Sequence, residues 1–491
     1  MVDNALGARH ASTLDGTLLA PGDTQLDVAI VLDEPAASSP VWQAATWLLC
    51  ELVNRGTGHA STLTIVTGDT RALLALPGVA AGTVLGSGLV ARSASIGGVY
   101  AISADTPPPH AITVRVGPGQ LERNLGTHLE VFADNWAGGV RTPNEAPHLG
   151  LDEPTLLIGA LIGACHAAAA LFRHARLPNA DHPSVWHDAW ALRLSTLADA
   201  ATSTGPTAIS LNLDDLSLAG MGAVGNAFAL TALTHPGATG TLRAADYDHV
   251  DFTNLNRCLL FVRDDLDQLK ADVANAAAAQ LNRPGVTLQV AAERAETAFS
   301  KAAVTTLVSA VDTNRARAAI NRLVPRLTLA GSTWQLRVQT NVFVEPGPCL
   351  RCFNPPEPIE SDRSVKARVL GAHAGELIDM AARAEETTDA LRAWASTAGC
   401  GELDAKLLPA LRHDDEPTFS VGFVSVLSGV LLAATAIRTQ YAVQSAPTIA
   451  RAQLFRPASR VQQAQPAQGD LRCPACGPGS DLPMTWRQFW G

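Results

Sequence analysis

Residues 216–233 read LSLAGMGAVGNAFALTAL, and this stretch is the most informative one for the architecture. The short apolar run at 216–219 predicts a buried strand, and residues 226–233 predict a helix. Between them, three glycines form a GxGxxG turn: Gly220, Gly222 and Gly225. A glycine turn lets the backbone approach a phosphate, and the following helix offers free N–H groups and the positive end of its dipole. The pattern therefore indicates a nucleotide-binding strand, turn and helix.

Asp246 lies at the end of a second predicted strand, where a carboxylate can accept hydrogen bonds from a ribose. The turn and this aspartate are weak evidence by themselves, because many loops match them and an NAD-dependent oxidoreductase fits equally well. The residues that follow are more specific. They form an ordered series: Asp246 and Asp248, Asn254 and Arg257, Lys270, then Asp312 with Arg317 and Asn321.

In this series the chain resembles the ThiF/MoeB/HesA-type adenylyltransferases and the ubiquitin-activating enzymes, over roughly residues 201–491. The resemblance implies an α/β, Rossmann-like ThiF adenylation fold. It also implies that ATP and Mg²⁺ are used to adenylate the C-terminal carboxylate of a ubiquitin-like protein.

The same resemblance implies the roles of individual residues. Asp246 would hold the ribose of ATP, and Asn254 and Arg257 would reach the phosphates. Lys270 would neutralise charge as pyrophosphate leaves, and Asp312 would hold Mg²⁺, which bridges phosphate oxygens. The implied nucleotide-binding set is Gly220, Gly222, Gly225, Asp246, Asp248, Asn254, Arg257, Lys270 and Asp312.

These residues also have ordinary structural interpretations. A lone lysine in the segment 264–270 is commonly on a solvated helix face, and a lone aspartate after a strand is commonly a cap. Cys258 departs from the family, which commonly has Gln after the arginine. We expect Cys258 to be a packed small side chain without a chemical role.

Residues 1–200 alternate strand-like and helix-like segments, such as the strand-like run LDVAIVL at 26–32, which predicts a second α/β domain. Its glycine pairs do not extend to GxGxxG, yet the helix around 159–163 resembles in kind a glycine-containing helix at 422–434. One hypothesis is a degenerate copy of the adenylation fold, packed on the active copy as an intrachain pseudodimer. An unrelated α/β domain is the alternative, and a homodimer is also open. Family members take an arginine into the ATP site from the partner subunit, so here we expect it from the N-terminal half.

Composition limits the class of protein. Apolar residues make up 47% of the 491 residues, which permits a large core, and the net charge of −10 argues against nucleic-acid binding. The N-terminus shows no secretory signal pattern, so we expect a cytoplasmic protein. Two uncharged stretches, 155–172 and 419–437, have the length of marginal membrane spans. Because they are rich in small residues, buried helices are the better interpretation, and no membrane partner is expected.

Two CxxC pairs predict a metal site. Cys349 and Cys352 form the first pair, and Cys473 and Cys476 form the second. Four thiolates suit a closed tetrahedral Zn²⁺ site, and the resemblance implies that such a site pins the C-terminal segment to the core. Two unrelated cysteine pairs, one of them redox-active, are the alternative.

Cys400 lies in a glycine-flanked segment within a predicted crossover insertion, about residues 353–418. In ubiquitin-activating enzymes, a cysteine in the crossover takes the acyl group from the adenylate as a thioester. The first hypothesis is therefore adenylation, thioester formation on Cys400 and transfer to a conjugating enzyme. The alternatives are adenylation of a sulfur-carrier protein without a thioester, and a non-enzymatic scaffold.

Overall fold

The structure is a computed structural model. It describes residues 26–56, 60–97, 101–103, 111–118, 128–142, 153–176, 184–334, 336–344, 347–355, 362–384, 386–396, 407–408, 411, 421–441, 448–454, 465–466 and 468–490. The chain divides into a large unit and a small unit, and the small one comprises Thr313–Arg315 and Pro355–Thr418.

The N-terminal half of the large unit contains one mixed sheet. In the described residues its strand order is β3-β2-β1-β4-β5-β6-β7-β8. The first five strands in this order run parallel, and the last three pair antiparallel. The strands are β1 (Leu26–Leu32), β2 (Ala60–Val66), β3 (Ala101–Ser103), β4 (Ile112–Val116), β5 (His128–Ala133), β6 (Ala137–Arg141), β7 (Val185–Asp188) and β8 (Arg193–Thr196).

The second sheet has the order β12-β11-β10-β13-β14-β15-β16-β17, and the short strand β9 pairs with β11. Strands β10–β14 are parallel, and β15–β17 are antiparallel. The strands are β9 (Leu211–Asn212), β10 (Leu216–Ala219), β11 (Ala238–Ala245), β12 (Val286–Ala291), β13 (Thr306–Ser309), β14 (Leu327–Trp334), β15 (Arg337–Val344), β16 (Thr448–Gln453) and β17 (Gln465–Pro466).

The two sheets have the same topology. If β1 is matched to β10, each following strand of the first sheet has a counterpart at the same position of the second. The helices correspond as well, because each half places a helix after its first strand and a long helix between its sixth and seventh strands. This correspondence favours the second-copy hypothesis over an unrelated α/β domain.

The helices of the large unit lie against the sheets. They are α1 (Pro40–Gly56), α2 (Leu85–Ile96), α3 (Leu157–Arg176), α4 (Ala223–Thr234), α5 (Lys270–Gln280), α6 (Ala295–Ala298), α7 (Asn314–Ile320), α8 (Leu350–Phe353), α12 (Gly422–Tyr441) and α13 (Asp481–Trp490), with the first residues of α7 assigned to the small unit. The remaining helices, in the small unit, are α9 (Asp362–Gly371), α10 (Ala374–Arg383) and α11 (Thr388–Ser396).

The core of the large unit is continuous between its halves. Helix α12 packs on α4 and α3, and α3 packs on α1, so one apolar cluster includes residues of both sheets. Helices α3 and α12 are long and apolar enough to cross a membrane, but 83% and 89% of their apolar windows are buried inside the protein. These positions are the ones expected of core helices.

The small unit has a core of its own. Apolar side chains of α9, α10 and α11, among them Val369, Leu377 and Trp394, form a separate buried cluster with Leu407 and Leu411. Most of the described part of the predicted crossover insertion, about residues 353–418, is therefore helical.

Candidate nucleotide site and cysteine cluster

The glycine turn connects β10 directly to α4. Gly220 has a φ of +95°, a left-handed conformation that favours glycine. A Cβ on Gly225 would lie 2.0 Å from the carbonyl oxygen of Gly220, so this position also requires glycine. A Cβ on Gly222 would meet no atom within 4 Å. Open space therefore lies beside Gly222, which is the N-cap residue of α4. No side chain caps this helix.

Asp246 is bound to the glycine turn. It follows β11, which pairs with β10, and its side chain is 8% exposed. Its Oδ2 accepts a hydrogen bond of 2.6 Å from the backbone N–H of Met221, and its Oδ1 accepts one of 2.9 Å from Asp248. Burial raises the pKa of Asp246, and Lys270 opposes this effect. The carboxylate is thus fixed to the residue that precedes Gly222, and its role as a ribose ligand stays a prediction.

Lys270 begins helix α5 and is buried, so the solvated-face interpretation is wrong for this residue. Its Nζ lies 3.0 Å from Oδ2 of Asp248, while its backbone N–H donates to the carbonyl of the same residue. Burial lowers the pKa of Lys270, but Asp246 and Asp248 together raise it further, and the net pKa is raised. Lys270 is therefore a cation held beside Asp246 at neutral pH.

Asn254 and Arg257 lie on the turn after Asp248. Asn254 ends a short 3₁₀ turn, and its Oδ1 accepts a hydrogen bond of 3.0 Å from the N–H of Asp251. Nη1 of Arg257 donates to the carbonyl of Thr253 at 2.6 Å and to Oδ1 of Asn256 at 2.8 Å. Arg257 is partly exposed and Asn256 is buried. The turn therefore fixes one nitrogen of the guanidinium.

Cys258 lies among the charges of this site. It is fully buried, and burial raises the pKa of its thiol, while Arg257, Lys270 and Arg55 act to lower it. Arg257 and Lys270, the two cations predicted for the phosphates, therefore both act on the thiol of Cys258. Its burial agrees with the expected packing role.

Asp312 is exposed and follows β13, the parallel neighbour of β10. The loop that carries it touches the glycine turn, because a Cβ on Gly220 would lie 3.0 Å from the carbonyl oxygen of Ala310. In the described part of the chain Asp312 forms no ion pair with the residues above. Arg317 lies on α7, and Asn321 is buried after it. All of these site residues belong to the large unit, and their roles stay predictions.

Asn226 is a site residue that sequence reasoning missed. Its Nδ2 donates to the carbonyl of Met221 at 2.6 Å, and its Oδ1 accepts a hydrogen bond of 2.9 Å from the N–H of Leu260. It thereby connects the glycine turn to the segment after Arg257. The available signal was a single amide in the otherwise apolar helix sequence AVGNAFAL.

The equivalent corner of the first sheet is filled. Asp33 follows β1 and forms an ion pair with Arg115 of β4. A 3₁₀ turn with a proline, Pro35–Ser38, stands where the second half has its glycine turn. A Cβ on Gly117 would lie 2.7 Å from Ala36. The described N-terminal half therefore lacks the open space found beside Gly222.

The four cysteines of the CxxC pairs are gathered at one point. Their Sγ atoms all lie within 4.8 Å of one another, with Cys352 and Cys476 at 3.2 Å and Cys349 and Cys473 at 3.8 Å. Tetrahedral Zn²⁺ with Zn–S bonds of about 2.3 Å needs S···S distances of about 3.8 Å. The donor set therefore fits Zn²⁺. After this cluster, α13 is attached by Trp490, whose Nε1 donates to the carbonyl of Val324 at 2.9 Å.

Two sequence predictions remain outside this description. Cys400 lies outside the described residues, and the source of the partner arginine stays a prediction. Arg55 and Arg92 of the N-terminal half donate to the backbone carbonyls of Leu255 and Leu259.

The chain is similar to known proteins. The family model described as "ThiF family" matches residues 211–475. An uncharacterised protein, y4jF of Sinorhizobium fredii, is 24% identical over 370 residues, which cover 67% of this chain and 69% of that protein.

Two solved structures of E. coli MccB are also similar. MccB with ATP is 14% identical with a TM-score of 0.34, over 54% of this chain and 66% of that chain. MccB with MccA-N7isoASN is 15% identical with a TM-score of 0.34, over 53% and 66%. The match thus spans slightly less than two thirds of the MccB chain.

Proposed function

Because the chain belongs to the ThiF family, whose members are adenylyltransferases, we propose that it adenylates the C-terminal carboxylate of a peptide or ubiquitin-like protein with ATP. One observation carries this proposal. Asp246 and Lys270, separated in sequence, converge on the open glycine turn through Met221 and Asp248. In this proposal Asp246 accepts a hydrogen bond from the ribose, and Lys270, held beside it, neutralises phosphate charge. The support is that both lie close to a turn in which a Cβ on Gly222 would meet no atom within 4 Å.

The reaction follows from these positions. A carboxylate oxygen of the carrier attacks the α-phosphorus of ATP, the new O–P bond forms, and the bond to the β-phosphate oxygen breaks. Pyrophosphate leaves with the electron pair, so negative charge grows on the leaving group. Lys270 and Arg257 neutralise this charge, and the N-terminus of α4 binds phosphate oxygens. Asp312, an exposed carboxylate at the end of β13, suits Mg²⁺, which supplies further charge neutralisation.

The decisive experiment is pyrophosphate exchange. The enzyme is incubated with ATP, Mg²⁺, labelled pyrophosphate and a candidate ubiquitin-like carrier, either with its free C-terminal carboxylate or with an amidated C-terminus. We expect label in ATP only with the free carboxylate. Exchange that ignores the carrier terminus, or no exchange while ATP is bound, would contradict carboxylate adenylation.

We further propose that the acyl group passes to Cys400. The thiolate would attack the acyl carbon, a C–S bond would form, and the C–O bond to AMP would break, releasing AMP. The support is sequence position, since Cys400 lies in the insertion between the two CxxC pairs. A conjugating enzyme would then accept the acyl group from the thioester.

Mass spectrometry after incubation with carrier and ATP tests this step. We expect an adduct on Cys400 that dithiothreitol removes and that Cys400→Ala abolishes. Cys165→Ala is the matched control, because Cys165 is fully buried in α3. Normal carrier transfer by Cys400→Ala would instead favour adenylation without a thioester, as for a sulfur carrier.

We also propose that the four cysteines hold a structural Zn²⁺. The support is the convergence of both CxxC pairs within 4.8 Å. With the cysteines as ligands, the ion would join α8 to the segment that precedes α13. The filled corner of the N-terminal half supports an intrachain pseudodimer with one active site.

A further inference from the structure

Three charged side chains of the N-terminal half are buried together. Glu51 and Arg55 lie on α1, Arg92 lies on α2, and they are 2%, 2% and 7% exposed. Glu51 accepts hydrogen bonds from both arginines, from Nε of Arg55 at 2.9 Å and from Nε of Arg92 at 3.2 Å. Since one carboxylate faces two guanidinium groups, the cluster has a net positive charge. We call Glu51, Arg55 and Arg92 the buried triad.

The remaining N–H groups of the triad bind the other half of the molecule. Nη1 of Arg55 donates to the carbonyl of Leu255 at 2.7 Å, and Nη2 donates to that of Phe261 at 3.0 Å. Nη2 of Arg92 donates to the carbonyl of Leu259 at 2.6 Å. All three accepting residues are buried, so these carbonyls need partners that water does not provide.

The segment whose carbonyls accept these hydrogen bonds flanks Arg257 in the sequence. Leu255 lies two residues before it, and Leu259 and Phe261 lie two and four residues after it. Asn226 binds the same segment from the glycine turn. The backbone on both sides of Arg257 is therefore fixed by groups that the rest of the site does not supply.

We propose that Arg55 and Arg92, held by Glu51, are positioning residues that keep Arg257 aimed at the triphosphate. This inference rests on the proposed adenylation function. It gives the N-terminal half a role in the reaction although its own corner is filled. A buried set of three charges is expensive to desolvate, and apolar side chains of similar volume often fold as well or better. Apolar side chains could not, however, satisfy the three carbonyls.

The test uses Arg55→Lys in the full-length chain. Lysine keeps the positive charge beside Glu51, but a single ammonium cannot reproduce the fork that spans Leu255 and Phe261. ATP affinity is measured by displacement of a fluorescent ATP analogue, in the wild-type and in the Arg257→Gln background. Hydrogen exchange of the 254–261 segment is measured without nucleotide. Arg438→Lys is the matched control, because Arg438 also joins the halves, through the carbonyl of Trp190 at 3.1 Å.

We expect Arg55→Lys to weaken ATP binding about tenfold in the wild-type background, the effect of losing one charge-assisted contact. In the Arg257→Gln background, we expect a change of less than about twofold, because the contact it positions is already gone. The 254–261 segment should exchange faster in Arg55→Lys, and Arg438→Lys should bind ATP as the wild type does.

Two contrary results would separate failure of the positioning role from failure of the adenylation proposal. If Arg55→Lys weakens ATP binding equally in both backgrounds, or not at all, the positioning role is wrong while the adenylation proposal stands. If the wild-type chain binds no ATP, the adenylation proposal fails and the positioning role fails with it.

Discussion

The open space beside Gly222 leads to a sharp prediction for Gly222→Ala. The new Cβ meets no atom within 4 Å, and the φ of −70° is ordinary for alanine. The cost in folding free energy is then limited to the weaker helix cap, up to about 1 kcal/mol. The methyl group would, however, occupy the position where a phosphate oxygen approaches the N–H groups of α4.

The effect on ATP binding follows from this displacement. Losing one hydrogen bond between a backbone N–H and a phosphate costs about 1.5–3 kcal/mol, which weakens binding about 10- to 150-fold. We therefore expect a variant that unfolds at nearly the wild-type denaturant concentration but binds ATP at least about tenfold more weakly. Isothermal titration with ATP and Mg²⁺, together with urea unfolding, measures both quantities.

Two further glycine variants complete the design. Gly225→Ala brings a Cβ to 2.0 Å from the Gly220 carbonyl oxygen, so we expect a loss of stability of about 1–3 kcal/mol or more. Gly375→Ala also adds a methyl group in open space, but in the small unit, and should leave ATP binding unchanged. If Gly222→Ala binds ATP with wild-type affinity, the phosphate does not lie at this turn.

Three other outcomes are expected. Lys270→Met should weaken ATP binding about tenfold or more, whereas Lys301→Met, which alters an exposed lysine, should not; equal affinities would remove Lys270 from the site. Elemental analysis should find zinc in the wild type and in Cys165→Ala but not in Cys473→Ser; a zinc-free wild type would refute the metal site. Burial lowers the pKa of His187 to about 4, and its Nδ1 lies 3.1 Å from Nε2 of His166. Below pH 6.5 the imidazole of His187 binds a proton in the unfolded chain but not in the folded chain. The wild type should therefore lose about 3 kcal/mol of unfolding free energy relative to His187→Gln between pH 6.5 and pH 4, as urea unfolding would show. A constant difference would mean that His187 titrates normally.

Local pattern predicted several elements closely. The apolar run before the glycine turn is the strand Leu216–Ala219, and the run LDVAIVL is the strand Leu26–Leu32. These segments are short, apolar and followed by residues that end a strand, so their neighbours along the chain suffice to define them. The helix from 226 was also predicted correctly, although it begins earlier, at Ala223.

Other features depend on contacts that sequence spacing does not reveal. Lys270 lies near acidic residues in a segment that suggested a solvated surface, but the packing of α5 buries it beside Asp246. The identical strand order of the two halves was only a hypothesis, because the first half lacks the glycine turn. The glycines around 159–163, in α3, indicated only that this helix is related to the helix at 422–434.

The order of amino acids alone indicates the family, the glycine turn, the ordered set of nucleotide-site candidates and the two cysteine pairs, since each is a pattern of residue types at fixed spacing. The packing of the two halves brings Arg55 and Arg92 to carbonyls around Arg257 that lie 200 and 167 residues further along the chain. Buried carbonyls accept from whichever donor the packed helices present to them, and the identity of that donor depends on how two distant halves meet.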